Sequence, residues 1–377
     1  MNSVYLDNAA TTPMLPEVVS VMQESMLANF GNPSSTHQYG RKAKAAVETA
    51  RKNIAKHFNV TASEIIFTAG GTEADNLILQ NAVLHLGVKR IITSKLEHHA
   101  VLNTVQFLEK KHKITVDYVR VNENGAVVLD SLGEALKKSN EKTLVSLMYV
   151  NNEIGNILPI EEVANMCKEH HAYFHSDTVQ AIGHYPIDLQ KTPVDFIAAS
   201  AHKFHGPKGV GFAYVKKGIA IQPMFFGGEQ EKGARSSTEN VHAIIGMEKA
   251  LQIAFENLIV DETYIKELKN YFVKKVKELV PKAEINGELA DETSYTIVNV
   301  RFPVQDKMLL FNLDLSGVAA SGGSACQSGS NKGSHVLSAF LNAEEVHKAS
   351  VRFSFSKLNT IEEVNYVLMQ LKRVLKK

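Results

Sequence analysis

"SAHKFHGPKGVG", residues 200–211, places Lys203 between two histidines and follows it with a glycine-proline-lysine-glycine run. A solvated surface lysine needs no such backbone freedom. A lysine that meets a flat ligand at close quarters does, because glycines flanking Pro207 and Lys208 let the ligand lie against bare backbone. Burial and neighbouring positive charge both disfavour an ammonium ion, so a lysine in such surroundings can act as an amine nucleophile. Ser200 and His202 stand ready to donate to an anion. The run just before, "VDFIAAS" (194–200), is apolar and β-rich. The lysine therefore falls where a strand ends, which is where open α/β sheets bind ligands.

Working outward, strand-like and helix-like segments alternate. "EIIFT" (64–68), "RIITS" (90–94), "TLVSLMYV" (143–150), "AYFHSD" (172–177) and "GVGFAYV" (209–215) read as further strands. "TEADNLILQNAVLHLG", "HAVLNTVQFLEKKH" and "PIEEVANMCKEHH" read as helices between them. This alternation predicts a mainly parallel sheet covered by helices. One long helical stretch is expected from about 238 to 280. Beyond Pro281 the pattern changes to the strands "YTIVNVRF" and "ASVRFSFS" and the closing amphipathic helix "TIEEVNYVLMQLKRVLKK". The expected division is a large domain over 15–255 and a smaller α+β domain from 1–14 and 256–377.

Composition narrows the function classes. Of 377 residues, 44% are hydrophobic and 21% charged, an ordinary globular mix that can bury large cores. Forty-one Lys+Arg against forty Asp+Glu leave a formal charge of +1, so there is no electrostatic footprint for nucleic acid or an acidic membrane surface. No apolar run reaches membrane-spanning length, and no leader-like run precedes Asp7. Two cysteines, Cys167 and Cys326, make no disulfide framework. A reducing, cytoplasmic setting is the expectation.

Several residues at expected strand ends carry chemistry. Gly70, Gly71 and Thr72 open a helix, where free N–H groups and the positive end of the helix dipole make either a phosphate cradle or a plain helix cap. His98 and His99 follow "RIITS", and adjacent side chains do not easily face one point. Asp177, just past "AYFHS", either holds a protonated ring nitrogen or caps a helix, with Gln180 three residues on. Asn151 and Asn152 end another strand and double as turn residues. The histidine-rich runs "HHAYFH" and "HKFH" have no carboxylate or cysteine at ligand spacing, so no metal site is expected. "SGGSACQSGS" (321–330) surrounds Cys326 with small residues, unlike a packed core, and predicts an exposed thiol on a strip able to travel. Cys167 shares an apolar helix face with Val163 and Met166 and reads as core.

Taken together, "YLDNAATTP", "FGNPSSTH", "FTAGGTEADNL", "SKLEHHAVL", "VNNEIG", "SDTVQAIG", "SAHKFHGPKGVG", "SGGSACQSGS", "SHVL" and "VRFSF" resemble, nearly end to end, the cysteine desulfurases. These form the NifS/IscS-like branch of the fold-type-I pyridoxal-phosphate enzymes, within the class-V aminotransferases. The resemblance implies a large domain with a mainly parallel seven-stranded sheet and a small α+β domain carrying a mobile Cys326 loop. It implies that Lys203 carries pyridoxal 5'-phosphate covalently and that His98, rather than His99, stacks on the pyridine ring and shuttles protons. Asp177 would hold the ring nitrogen protonated, Gln180 would contact the ring hydroxyl, and Gly71, Thr72, Ser200 and His202 would grip the phosphate. Thr238 would add a phosphate contact from the partner subunit of a homodimer. Arg352 would fork onto the carboxylate of L-cysteine, with Asn152 nearby. Cys326, as a thiolate, would take the substrate sulfur as a persulfide, release L-alanine and pass the sulfur to an acceptor protein, a cluster scaffold or a thiolation enzyme.

Three departures from the family pattern stand out. Glu229 and Ser237 replace glycines of the usual "GGGQE" and "RSGT" in the loop before Thr238, at a cost wherever those positions need φ > 0. The chain also ends at Lys377, soon after the closing helix, without the longer tail with which housekeeping members dock their scaffold. A selenocysteine lyase, and a non-catalytic sulfur carrier of the same fold, are the rival readings.

Overall fold

The structure, a computed structural model, describes residues 3–288, 293–306, 308–323 and 333–375. The chain opens with β1 (Val4–Tyr5), α1 (Pro16–Ala28) and α2 (Gln38–His57). An alternating series follows: β2 (Ile65–Thr68), α3 (Gly71–Leu84), β3 (Arg90–Thr93), α4 (His99–His112), β4 (Thr115–Tyr118), α5 (Leu129–Lys137), β5 (Thr143–Ser146), α6 (Ile160–Glu169), β6 (Tyr173–Asp177), β7 (Phe196–Ser200) and β8 (Gly211–Val215). Next come α7 (Val241–Glu256), α8 (Leu258–Leu279), β9 (Glu284–Asn286), β10 (Ile297–Arg301) and α9 (Leu309–Leu315). The last elements are β11 (Val318–Ala319), α10 (His335–Ser338), β12 (Ser350–Ser354) and α11 (Ile361–Val374).

Strands β2 to β8 form one seven-stranded sheet in the order β2-β8-β7-β6-β5-β3-β4. Its pairings are parallel from β7 across to β4, and β8 runs antiparallel to both of its neighbours. This is the mainly parallel, helix-covered sheet that the alternation predicts. Every residue of β2, β3, β5, β7 and β8 is buried. Strands covered on both faces read as continuous apolar runs, which is why "FIAAS" and "GFAYV" show no alternation. Edge strand β4, "TVDY", is partly exposed throughout and carries a charge, so its pattern is weak.

A second layer of structure is built on the antiparallel sheet β12-β10-β9 and the parallel pair β1-β11. Its core gathers Val4 and Leu6 with Phe272, Val300, Phe302, Phe353, Phe355 and Leu371. The main sheet's helix-facing cores run from Leu15 to Leu251 instead. We propose the division at 14/15 and 255/256 on that basis. Helix α11 is started by Thr360, whose Oγ1 accepts from the Glu363 N–H at 3.2 Å while Glu363 Oε2 accepts from the Thr360 N–H at 3.1 Å.

Two expectations need correction. The expected helix over 238–280 is two helices, because Asn257 leaves helical geometry (φ −108°, ψ 9°) and its Nδ2 donates to Ile253 O at 2.9 Å. The Asn257 N–H still donates to the same carbonyl at 3.2 Å, so the side chain shares that acceptor, a local bond open to Asn. The expected strand over 143–150 ends at Ser146, and the chain beyond it turns through Asn151.

Candidate active site

Strands β6 and β7, the N-terminus of α3 and the β1–α1 connection converge on a cleft of about 840 Å³. Its lining includes Gly71, Thr72, His98, Asn152, Asp177, Gln180, Ser200, His202, Lys203 and Arg352. These come from sequence positions 281 residues apart, yet they face one hollow. A larger open groove of about 1070 Å³, lined by Lys44, Glu48, Glu64 and Lys217 among others, holds none of them.

Lys203 closes a single 3₁₀ turn, Ala201–Lys203, directly after β7. Its Nζ donates to Ala9 O at 2.6 Å and Ala10 O at 2.9 Å. Gln180 Nε2 donates to the same Ala9 carbonyl at 2.9 Å. The "NAATTP" segment thus forms a wall against which the lysine rests. On another wall of the cleft, α3 begins at Gly71 after Gly70 at φ +153°, a conformation that L side chains rarely adopt. A Cβ on Gly71 would meet Val179 Cγ2 at 2.5 Å, so only bare backbone fits there. His202 Nδ1 lies 3.1 Å from Thr11 Oγ1, and burial, aided by Lys203 and Lys208, pushes its pKa down to about 4. It is neutral at physiological pH.

His98 is the N-cap of α4: its Nδ1 accepts from the Ala100 N–H at 3.1 Å, leaving Nε2 to carry the proton. Burial lowers its pKa; Asp177 opposes this and Lys203 adds to it. His99 is not among the lining residues and instead packs its ring 4.5 Å from that of His335. Asp177 ends β6, with Oδ1 accepting from the Val179 N–H at 2.9 Å. Burial raises its pKa, while His98, that N–H and Lys203 pull it back toward the ionised form. No helix follows β6, so Asp177 caps none; its carboxylate holds the turn at Val179 and also faces the cleft.

Arg352, on β12, is 1% exposed. Its Nη2 pairs with Asp7 Oδ1 at 2.8 Å and its Nη1 donates to Asn152 O at 2.7 Å. Asp7 was not singled out by sequence reasoning, since 345 residues separate the pair. Asp75 was also missed. It lines the cleft 3.3 Å from the buried His175, and burial, with Asp177 and Glu97 nearby, raises its pKa well above the carboxylate range. Burial drives the His175 pKa down to about 3, so that imidazole is neutral.

Glu97 is a third buried acid, accepting from Ser94 Oγ at 2.7 Å. Burial raises its pKa to about 8, although the Ser94 hydroxyl and the Met148 backbone partly oppose the shift. An acid with a raised folded pKa binds its proton more tightly folded than unfolded. Stability is then full below the unfolded value of 4.5 and falls as pH climbs toward 8. Glu97→Gln is accordingly expected to match the wild type in urea unfolding near pH 4 and to exceed it by a few kcal/mol at pH 9. A constant gap across that range would remove the argument.

Thr238 does not join its own chain's cleft. It is exposed and lines a neighbouring hollow of about 180 Å³ with Ala69, Gly209, Glu231 and Arg235. Of the two departures before it, Glu229 has φ −89°, which needs no glycine, but Ser237 has φ +116°. Ser237→Gly is expected to stabilise the chain by about 1 kcal/mol, read as a higher urea midpoint at unchanged m value. Cys326 lies outside the described residues. Cys167 is buried on α6, as its apolar face predicts, and burial pushes its thiol pKa far up. Among the described residues no cluster of His, Cys, Asp or Glu is placed to hold a metal ion, and no helix is long and apolar enough to cross a membrane.

Comparison with known proteins shows the family and the fold. The family model for aminotransferase class-V matches residues 4–367. A cysteine desulfurase IscS from Dictyoglomus turgidum is 43% identical, covering 99% of this chain and 95% of that protein. The chain belongs to the cysteine desulfurases of the class-V aminotransferase family. A putative cysteine desulfurase IscS 1 from Bacillus subtilis is 41% identical, covering all of both chains. Among solved structures, a NifS-like protein superimposes with a TM-score of 0.91 at 36% identity over the full length of both chains. The seven-stranded sheet and its covering helices are thus of the fold seen in the NifS-like structure.

Proposed function

We propose that this chain takes sulfur from L-cysteine, releases L-alanine and holds the sulfur as a persulfide on Cys326 for a protein acceptor. The observation that carries this reading is the cleft's division of labour. An amine at Lys203, a buried acid at Asp177, a helix N-terminus beside Ser200 and His202, and the buried guanidinium of Arg352 line one hollow. That donor set suits pyridoxal 5'-phosphate: an amine for its aldehyde, a carboxylate for its ring nitrogen, and free N–H groups with hydroxyl and imidazole donors for its phosphate. Gly71, Thr72, Ser200 and His202 would hold the phosphate, Asp177 and Gln180 the ring, and His98 the ring face. Bound there, the cofactor withdraws electron density from the substrate's Cα.

This chain's residues do the rest. Arg352 binds the substrate carboxylate, its fork already aimed by Asp7 and the Asn152 carbonyl. Lys203 takes the Cα proton and later returns one. His98, neutral and carrying its proton on Nε2, relays a proton at the cleft wall. The Cys326 thiolate attacks the substrate sulfur, so an S–S bond forms as the C–S bond breaks. The electron pair of the broken bond stays on carbon, which is protonated and leaves as alanine.

Two features support a homodimer: Thr238 stands outside its own cleft, and Val19, Met26, Leu27, Phe30 and Tyr39 on and after α1 are exposed large hydrophobic side chains. The demand for a free thiol at Cys326 favours the cytoplasm. The test is mass spectrometry of the purified chain after incubation with L-cysteine, alongside alanine assay. A mass gain of one sulfur on the Cys326 peptide, with stoichiometric alanine, is expected. Protein that is colourless, takes up no pyridoxal phosphate and gains no sulfur would favour the carrier reading.

A further inference from the structure

The segment 229–238, between β8 and α7, is strained. Glu231 (φ 48°, ψ 36°) and Lys232 (φ 56°, ψ 34°) are both left-handed, and Ser237 has φ +116°. Each such residue costs on the order of 1–2 kcal/mol and persists only where its surroundings hold it. Two ion pairs hold this segment, and both close on the same short stretch of chain.

The first pair is buried. The Glu231 carboxylate accepts from Arg51 Nη1 at 2.6 Å, Arg51 Nη2 at 2.8 Å and the Phe67 N–H at 2.9 Å. Arg51 also donates to Ile65 O at 3.0 Å and lies 4.3 Å over the Phe67 ring. This ties the segment to β2, the strand that feeds the Ala69-Gly70-Gly71 turn. The second pair joins the far side of that turn. Arg235 Nε donates to Glu73 Oε1 at 2.8 Å and Nη2 to Oε2 at 3.3 Å, while Glu73 Oε2 also accepts from the Ala69 N–H at 2.8 Å. Glu73 stands in the first turn of α3 and so links Arg235 to both ends of the Gly70-Gly71 turn.

We propose that 229–238 is a strap that fixes the phosphate cradle of its own chain, with Arg235 acting through Glu73 as the positioning residue and Arg51–Glu231 as the anchor. This action is within one chain and is distinct from any contact Thr238 makes to a second copy. It rests on the reading that the cleft takes a phosphate-bearing cofactor. The cradle's N–H groups are rigid parts of α3, so a small tilt of the turn mis-aims several donors at once.

The test titrates apo-protein with pyridoxal 5'-phosphate and, separately, with pyridoxal, which lacks the phosphate. Arg235→Gln and Glu73→Gln are each expected to weaken pyridoxal phosphate about tenfold, equivalent to about 1.4 kcal/mol, and to leave pyridoxal within about twofold. The double variant should be no worse than either single one, and Arg235→Lys should recover part of the loss. Equal weakening of both ligands would show general loosening and overturn the proposal, as would unchanged affinity for both. A wild-type apo-protein that binds the two ligands equally would instead defeat the cofactor reading itself.

Discussion

Lys203→Ala is expected to fold, to hold no covalently attached cofactor and to lose turnover by roughly 10²–10⁴-fold or more. Folding should survive because the side chain is only half-buried. Its truncation strips two donors from the Ala9 and Ala10 carbonyls, which then face the cleft and its water. Gln180 still donates to Ala9 O, so the wall keeps one of its ties. The expected stability loss is about 1 kcal/mol. The chemistry has no such fallback. Lys208 also lines the cleft, but it is exposed and follows Pro207 on the far side of the turn. Borohydride treatment followed by peptide mass mapping reads the result directly. The wild type should carry reduced cofactor on Lys203, and the variant should carry none. Label retained on another lysine would move the attachment site and undo the role given to this turn.

What was legible in the sequence was whatever depends on neighbours along the chain. Buried strands β2, β3, β7 and β8 announce themselves as short, mostly apolar runs, and helix α4 begins at His99 as its periodicity predicts. Lys203, Asp177 and the Gly70-Gly71 turn were found because each sits at or just after the end of a strand-like run. Helices α1 and α2 and strand β4 were not read. The edge strand is half-exposed, and α1 has little segregation of apolar residues to one face. The break at Asn257 was invisible because apolar spacing continues across it, and the change is confined to the backbone angles of one asparagine.

The site's supporting pairs were illegible for a different reason. Asp7 with Arg352, Glu231 with Arg51 and Arg235 with Glu73 are separated by 345, 180 and 162 residues. Nothing local marks a carboxylate as the partner of a distant guanidinium; only the sheet order that brings β12 beside the amino-terminal segment does so. Ser237 shows the converse case. Its replacement of a glycine was visible in the sequence, but which of the two departures carries strain depends on a dihedral angle that only the fold sets.

Cys326→Ala is expected to bind pyridoxal phosphate and L-cysteine as the wild type does, to form no persulfide and to release no sulfide. The argument runs through the other cysteine. Cys167 is 1% exposed and packs in the core on α6, where burial pushes its thiol pKa far above neutral. A thiol held in its neutral form inside a core is neither a nucleophile nor within reach of a substrate. With two cysteines in the chain, the proposed sulfur-accepting role is left to Cys326. The control follows from the same reasoning: Cys167→Ala should keep full turnover and lose only about 1 kcal/mol of stability through the missing packing. Cofactor absorbance before and after adding L-cysteine separates binding from sulfur transfer, and mass spectrometry reads the persulfide. Undiminished sulfide release from Cys326→Ala, or loss of it from Cys167→Ala at full cofactor occupancy, would mean that sulfur leaves the substrate by some route other than attack by that thiolate.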